Sequence, residues 1–198
     1  KKITKDGSQF TLSLADGSEI ESKTIIIATG AVHNKLGVKG EEEFLGKGVS
    51  YCATCDGAFY KDKDVVVAGG GDTALSEALY LSKICRKVYL VHRRDELRGN
   101  KAYQDEISAR ENIEFIGNAV IDEIKGDSHV TALLYHDKVS DAQCMLKIDG
   151  IFVAIGMKPD TGIVKGIAAM DEYGYIIAGE DGRTNVDGLF VAGDIRKK

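Results

Sequence analysis

The period of the apolar residues changes several times along the chain, and each change marks an element. In "QFTLSLADGSEIESKTIIIATG", Phe10, Leu12 and Leu14 alternate with polar neighbours as far as the Asp16-Gly17 pair, and a β-branched run follows at Thr24–Ile27. Alternation ending in an Asp-Gly turn predicts a hairpin, and the unbroken run predicts a buried strand. The next stretch, "AVHNKLGVKGEEEFLGKGVS", is polar, punctuated by glycine and without period, so it predicts a connector, with a domain boundary near Ala31.

From Lys63 the pattern becomes strand, glycine turn, helix, strand. Val65–Ala68 is uniformly apolar, as in a parallel strand covered on both faces. Thr73–Lys83 then spaces Leu75, Ala78, Leu79 and Ser82 as a helix does, and Val88–Val91 supplies the second strand of a βαβ unit. A further helix is predicted over Lys101–Arg110 and a strand over Ile113–Ile116. Beyond them lie three strands turning at Gly126-Asp127 and Ser140-Asp141, then the apolar run "GIFVAIG", a short strand at Tyr175–Ala178, and "GLFVAGD". The pattern reads as an α/β fold: a Rossmann-like domain with a parallel sheet, helices and a three-stranded meander.

Composition narrows the function. The 198 residues are 43% hydrophobic, enough to bury a core, and 23 glycines stand against the single Pro159, so tight turns and close backbone approaches are expected. A formal net charge of -5 disfavours a nucleic-acid partner, which would require a positive face. The chain contains no apolar run of the roughly 18 residues needed to span a bilayer, and the expectation is a soluble, cytoplasmic protein without a membrane partner.

Gly69-Gly70-Gly71-Asp72-Thr73-Ala74 fits the dinucleotide fingerprint, with Ala74 in the third small-residue position, and it lies between a predicted strand and a predicted helix. There the helix N-terminus would receive phosphate. After the second strand, where an acidic residue would hold an unphosphorylated ribose, the chain carries His92-Arg93-Arg94, with Arg98 a turn further on. Guanidinium groups suit a 2′-phosphate, so the expected nucleotide is NADPH rather than NADH. The adjacent Asp95-Glu96 keeps open the alternative of a solvated charged loop.

Four cysteines are present, and only Cys52 and Cys55 are close, in "CATCDG". A structural zinc site needs four ligands, and neither a second CxxC nor a nearby Cys-His pair exists, so no metal is expected. Two inert buried cysteines would leave the adjacent Asp56 unexplained. A CxxC opening a helix stabilises one thiolate for attack while the other sulfur resolves, and Asp56 could move the accompanying proton. Cys85 and Cys144 read as packing residues, and His33, His129 and His136 as surface groups. Hydride from NADPH and thiol exchange need a relay, for which flavin is the common choice.

Together and in this order, "CATCDG", "GGGDTA" and "HRRDELR" resemble the low-molecular-weight, bacterial-type NADPH-dependent thioredoxin reductases, and the resemblance extends over "IIIATGA", "FVAIGMKPDT" and "GLFVAGDIR". It implies a flavoprotein that passes electrons from NADPH through FAD and the cysteine pair to thioredoxin. Cys55 would face the flavin, Cys52 would attack the acceptor disulfide, and Asp56 would be the acid-base. It also implies cofactor contacts at Thr29, Gly30, Ile155, Gly156, Gly193 and Asp194, the last toward the flavin ribityl chain. A rotating domain with hinges near Ala31 and Gly156, and a homodimer for the full-length protein, follow from the same likeness. Ser76 departs from the resemblance, where a glutamate is common. The family's opening GxGxxG and closing segment are not in the chain, so the expectation is an interior fragment: partial FAD-domain segments at 1–31 and 157–198 around an NADPH-binding domain at 32–156. Such a fragment would hold FAD weakly or not at all and could be a nucleotide-binding module without activity; a different thiol-disulfide acceptor is the other alternative.

Overall fold

A computed structural model describes residues 2–197. Two compact units are present, one built from the segments up to Val32 and from Met157 onward, the other from His33 to Gly156.

The first unit starts with three antiparallel strands, β1 (Lys2–Asp6), β2 (Gln9–Ser13) and β3 (Glu19–Ser22), so the expected hairpin is two strands of a three-stranded meander. Asp16 closes the turn by accepting the Ser18 amide at 3.0 Å. β4 (Ile25–Ile27) and β5 (Ala31–His33) follow. The run at β4 is buried at Ile27, but Ile26 is 69% exposed, so only one face of the expected buried strand is covered. Two late strands, β14 (Met157–Pro159) and β15 (Leu189–Val191), pair with β5 and β4, the latter in parallel. Phe10, Ile27, Ile176, Leu189 and Ile195 form the core. Tyr175–Ala178 is not a strand. Only Ile176 bridges its neighbours, Met170 and Arg196, because the Gly174 and Gly182 turns bracket too little chain for a ladder.

The second unit contains β6 (Val49–Ser50), α1 (Ala53–Asp56), β7 (Asp64–Ala68), α2 (Asp72–Leu81), β8 (Lys87–Val91), α3 (Lys101–Ser108), β9 (Ile113–Ile116), β10 (Ala119–Gly126), β11 (Val130–Asp137), β12 (Ala142–Lys147) and β13 (Gly150–Val153). A parallel sheet runs in the order β6-β13-β7-β8-β9, and β10-β11-β12 form a separate antiparallel meander. The apolar run at β7 divides by parity. Val65 and Val67 join Leu75, Ala78 and Leu81 of α2 on one face, whereas Val66 and Ala68 join Ile121 and Leu133 of the meander on the other. Each buried Leu or Val contributes about 1.5–3 kcal/mol. Among the described residues no helix is long and apolar enough to cross a membrane.

The aperiodic connector is ordered by a carboxylate. Glu41, 1% exposed, accepts the amides of Leu36 and Gly37 at 2.9 and 2.7 Å and the Tyr51 hydroxyl at 2.8 Å. Burial, reinforced by that hydrogen bond to Glu41, pushes the Tyr51 phenol up to about 12. Gly40, at φ +88°, passes so close to the Ile124 carbonyl that a side chain would collide with it. Replacing Glu41 with Ala leaves two amides and a hydroxyl without their acceptor, and about 3 kcal/mol of unfolding free energy should be lost. Urea denaturation of the parent and the variant measures this; an unchanged midpoint would show the carboxylate to be dispensable.

Candidate functional sites

The parallel strands β7, β8 and β13 end on a common edge, where ligands bind in open α/β sheets. A cleft of about 940 Å³ opens there. From β7 the chain turns through Gly69-Gly70-Gly71 into α2. Gly69 has φ +151°, and a Cβ on it would overlap the Ala154 carbonyl and lie 2.8 Å from the Ala74 Cβ. A Cβ on Gly70 would meet the His92 ring at 2.6 Å, whereas Gly71 faces open space. The turn thus brings backbone within reach of a ligand while its inner side is packed shut. Gly71 is the N-cap and accepts the Leu75 amide at 3.0 Å, so the first amides of α2 are left for a phosphate.

Gly69, Gly71, Asp72, Thr73, His92, Arg93, Arg98, Ile155 and Gly156 all line this cleft. Ala74 lies beneath it, fully buried against Gly69. Arg94 is exposed but not among the lining residues; its carbonyl accepts the Asn118 amide at 3.0 Å. Asp72 acts indirectly: its Oδ1 accepts the Asn100 amide at 2.6 Å, and the Gly70 carbonyl accepts the Arg98 and Gly99 amides at 2.7 and 3.1 Å, which carries Arg98 to the cleft. Burial, and then Arg93, Arg94 and Arg98, lower the His92 pKa, and its Nε2 is buried without a hydrogen-bond partner among the described residues. The guanidinium groups of Arg93 and Arg98 on the cleft suit an anionic ligand. Asn34, on the rim, was missed by sequence reasoning; its amide donates to the Gly156 carbonyl at 3.0 Å, a contact without local signal.

On the same unit β6 leads into the cysteine turn. Cys52 and Cys55 are joined in a disulfide with Cα atoms 5.3 Å apart. Cys52 is the N-cap of α1, and its sulfur accepts the Cys55 amide at 3.2 Å. Ser50, 5% exposed, accepts the Cys52 amide at 3.0 Å and donates to Asp56 Oδ2 at 2.7 Å, fixing cysteine and acid together. Ala53 is fully buried against α2, and its amide reaches Glu77 Oε1 at 3.4 Å. Phe59, four residues beyond Cys55, is 74% exposed. Ser50, Glu77 and Phe59 lack a motif of their own; only their neighbours in space distinguish them.

The remaining candidates lie elsewhere. Burial pushes the Cys85 thiol up to about 11, while Cys144 is half-buried on β12. His136 Nδ1 pairs with Asp122 at 2.9 Å, and His33 stacks on Tyr51 with ring centroids 5.1 Å apart, so these two histidines have partners that the spacing did not show. In the other unit, Asp194 lies in the turn Gly193–Ile195 and lines a hollow of about 520 Å³ with Ala31, Tyr175 and Arg196. Thr29, Gly30 and Gly193 are not among its lining residues. Thr29 Oγ1 donates to the Asp160 carbonyl at 2.6 Å, and Gly30 and Gly193, at φ +73° and +79°, leave open space where a side chain would stand.

Residues 1–198 match the family described as pyridine nucleotide-disulphide oxidoreductase. The chain is 44% identical over 194 residues to the thioredoxin reductase of Listeria innocua, covering 98% of this chain and 61% of that protein. The crystal structure of Lactococcus lactis thioredoxin reductase, in the state its authors call the FR conformation, superposes with a TM-score of 0.85 at 40% identity, covering 100% of this chain and 65% of that one. The bacillithiol disulfide reductase of Bacillus cereus superposes at 0.76 with 30% identity, over 98% of this chain and 61% of that one. The chain therefore spans less than two thirds of the length of these relatives. With a glycine cradle and a paired-cysteine turn in one unit, and with the match running from end to end, the chain belongs to the pyridine nucleotide-disulphide oxidoreductase family.

Proposed function

We propose that this chain is the nucleotide-binding and dithiol-bearing part of a flavoprotein disulfide reductase that takes electrons from NADPH and delivers them to thioredoxin. The observation that carries the reading is the Cys52–Cys55 disulfide on the same unit as the glycine cleft. Identity to proteins named thioredoxin reductase favours a thioredoxin acceptor, while one structural relative is named for bacillithiol disulfide instead.

The Gly69–Gly71 turn and the start of α2 would hold the pyrophosphate, and Arg93 and Arg98, which line the cleft, would hold the 2′-phosphate. In the other unit Asp194, with the open backbone at Gly30 and Gly193, suits a flavin nucleotide. Bound flavin supplies the relay, accepting two electrons as hydride and releasing them to a disulfide. Once the Cys52–Cys55 bond has taken up two electrons, the Cys52 thiolate is stabilised by the Cys55 amide. It attacks one sulfur of the acceptor disulfide; a mixed disulfide forms and the first acceptor thiolate leaves. The Cys55 thiolate then attacks Cys52 Sγ, re-forming the intramolecular bond and expelling the second acceptor sulfur. Asp56, held by Ser50, moves the proton that accompanies each departing thiolate. Exposed Phe59 offers an apolar contact for the approaching partner.

Combined replacement of Arg93 and Arg98 by Ala should weaken NADPH binding to this chain roughly a hundredfold, about 3 kcal/mol for two charge-assisted contacts, with NADH binding little changed. Calorimetric titration measures both, and equal losses for the two nucleotides would remove the phosphate assignment. A doubly charged phosphate beside His92 opposes the effect of the three arginines and favours the protonated ring. The ring should therefore titrate at higher pH with NADPH bound than with NADH, a difference read from its proton resonances. In the full-length protein, Cys55→Ser should abolish acceptor turnover while nucleotide affinity is retained; steady-state assays with thioredoxin check this, and persistent turnover would rule the pair out.

A further inference from the structure

Glu77 is a feature that the exchange mechanism does not use. It lies on α2 and is partly buried; Oε1 accepts the Ala53 amide at a long 3.4 Å, and Oε2 is sealed from solvent with no hydrogen-bond partner among the described residues. A serine hydroxyl or a glutamine carbonyl would satisfy one amide equally well. A carboxylate with a buried, unpaired oxygen is costly, so its presence against the redox turn requires an explanation. The amide it engages belongs to the residue between Cys52 and Thr54, in the first turn of the helix that Cys52 caps. The Cys52 sulfur accepts the Cys55 amide and Glu77 the Ala53 amide, so the two groups engage amides two residues apart in one four-residue helix.

We propose that Glu77 is a positioning residue that sets the redox poise of the Cys52–Cys55 pair: through Ala53 its carboxylate opposes the thiolate formed on reduction and so makes the reduced pair a stronger electron donor. Reduction adds two electrons and one proton to the disulfide, giving one thiol and one thiolate, and the reductant is a dithiol or any equivalent two-electron donor. An anion close to the product raises the free energy of the thiolate form but leaves the neutral disulfide little affected. Charge opposition lowers the reduction potential, which helps delivery of electrons to a protein disulfide. Burial raises the Glu77 pKa, since desolvation penalises the charged carboxylate, and a second anion in the same turn adds to that penalty.

The inference rests on the reading of Cys52–Cys55 as the working dithiol, and the test separates the two. The purified chain and its Glu77→Gln variant are equilibrated above neutral pH with mixtures of reduced and oxidised dithiothreitol, and the reduced fraction is counted by thiol alkylation and mass spectrometry. Neither nucleotide nor thioredoxin is involved. Glu77→Gln keeps the shape and the acceptor for Ala53 while removing the charge, and it should shift the equilibrium threefold to tenfold toward the dithiol, tenfold being about 30 mV. An unchanged constant, or a shift toward the disulfide, overturns the inference and leaves the dithiol reading intact. A pair that resists reduction throughout the series overturns both. A second measurement on the unaltered chain guards against a variant that does not fold: the Glu77 carboxyl carbon resonance should move between the oxidised and reduced forms, and identical shifts overturn the coupling.

Discussion

Both candidate sites of the larger unit depend on the seating of α2 against the parallel sheet. Leu75, Ala78 and Leu81 fill the space above Val65, Val67 and Phe152, and Ala53 of the cysteine turn is buried in the same cluster. The inner face of the helix is therefore shared between the strand that launches the glycine turn and the turn that carries the disulfide. Were α2 to slide by a residue, the amides at its N-terminus would leave the phosphate position and Glu77 would leave the Ala53 amide together. Close packing at Gly69, where even a methyl group would overlap the Ala154 carbonyl, prevents that slide.

Apolar packing sets where the helix and sheet lie, but polar clamps decide the conformation of the loops between them. Glu41 gathers Leu36, Gly37 and Tyr51, and Tyr51 immediately precedes Cys52. Ser50 ties the Cys52 amide to Asp56, and Asp72 ties Asn100 to the glycine turn. Each clamp uses one side chain, buried at Glu41 and Ser50 and exposed at Asp72, to satisfy backbone groups that have no strand or helix partner, which is what a loop next to a site needs if it is to stay put. The surface ion pairs contribute far less, since exposed pairs such as Lys35–Glu42 are screened by solvent.

Elements made by local periodicity were legible in the sequence. The uniform run at Val65–Ala68 announces a strand covered on both faces, and the two sets of contacts on alternate residues are the reason for that uniformity. The cysteine pair and the glycine turn could be named because their chemistry lies in consecutive residues. Contacts that close over long separations could not. Asn34 meets Gly156, Ser50 meets Asp56 only after the chain has turned, and Glu77 looks like one more polar residue on a helix beside Ser76. The misread strand at Tyr175–Ala178 fails for the complementary reason: its pattern is apolar enough, yet the segment lacks a neighbour long enough to build a ladder, so Ile176 is anchored by single bridges.

Sheet order adds a constraint on how electrons could pass. β6, which leads to the cysteine turn, and β7, which leads to the glycine turn, flank β13, so their ends are separated by about two strand spacings, roughly 10 Å. Both turns rise from the C-terminal edge of the same parallel sheet. A hydride donor seated on one turn and a disulfide closed on the other are thus held at one edge of the sheet, and nothing in sulfur exchange lets the disulfide accept hydride from carbon unaided. On the proposed reading a relay from outside the unit must therefore serve both turns in succession. Ala53 and Ala74 are buried in one core, so the roots of the two turns share an anchor, and neither turn can shift toward the other without opening the packing of α2 on the sheet.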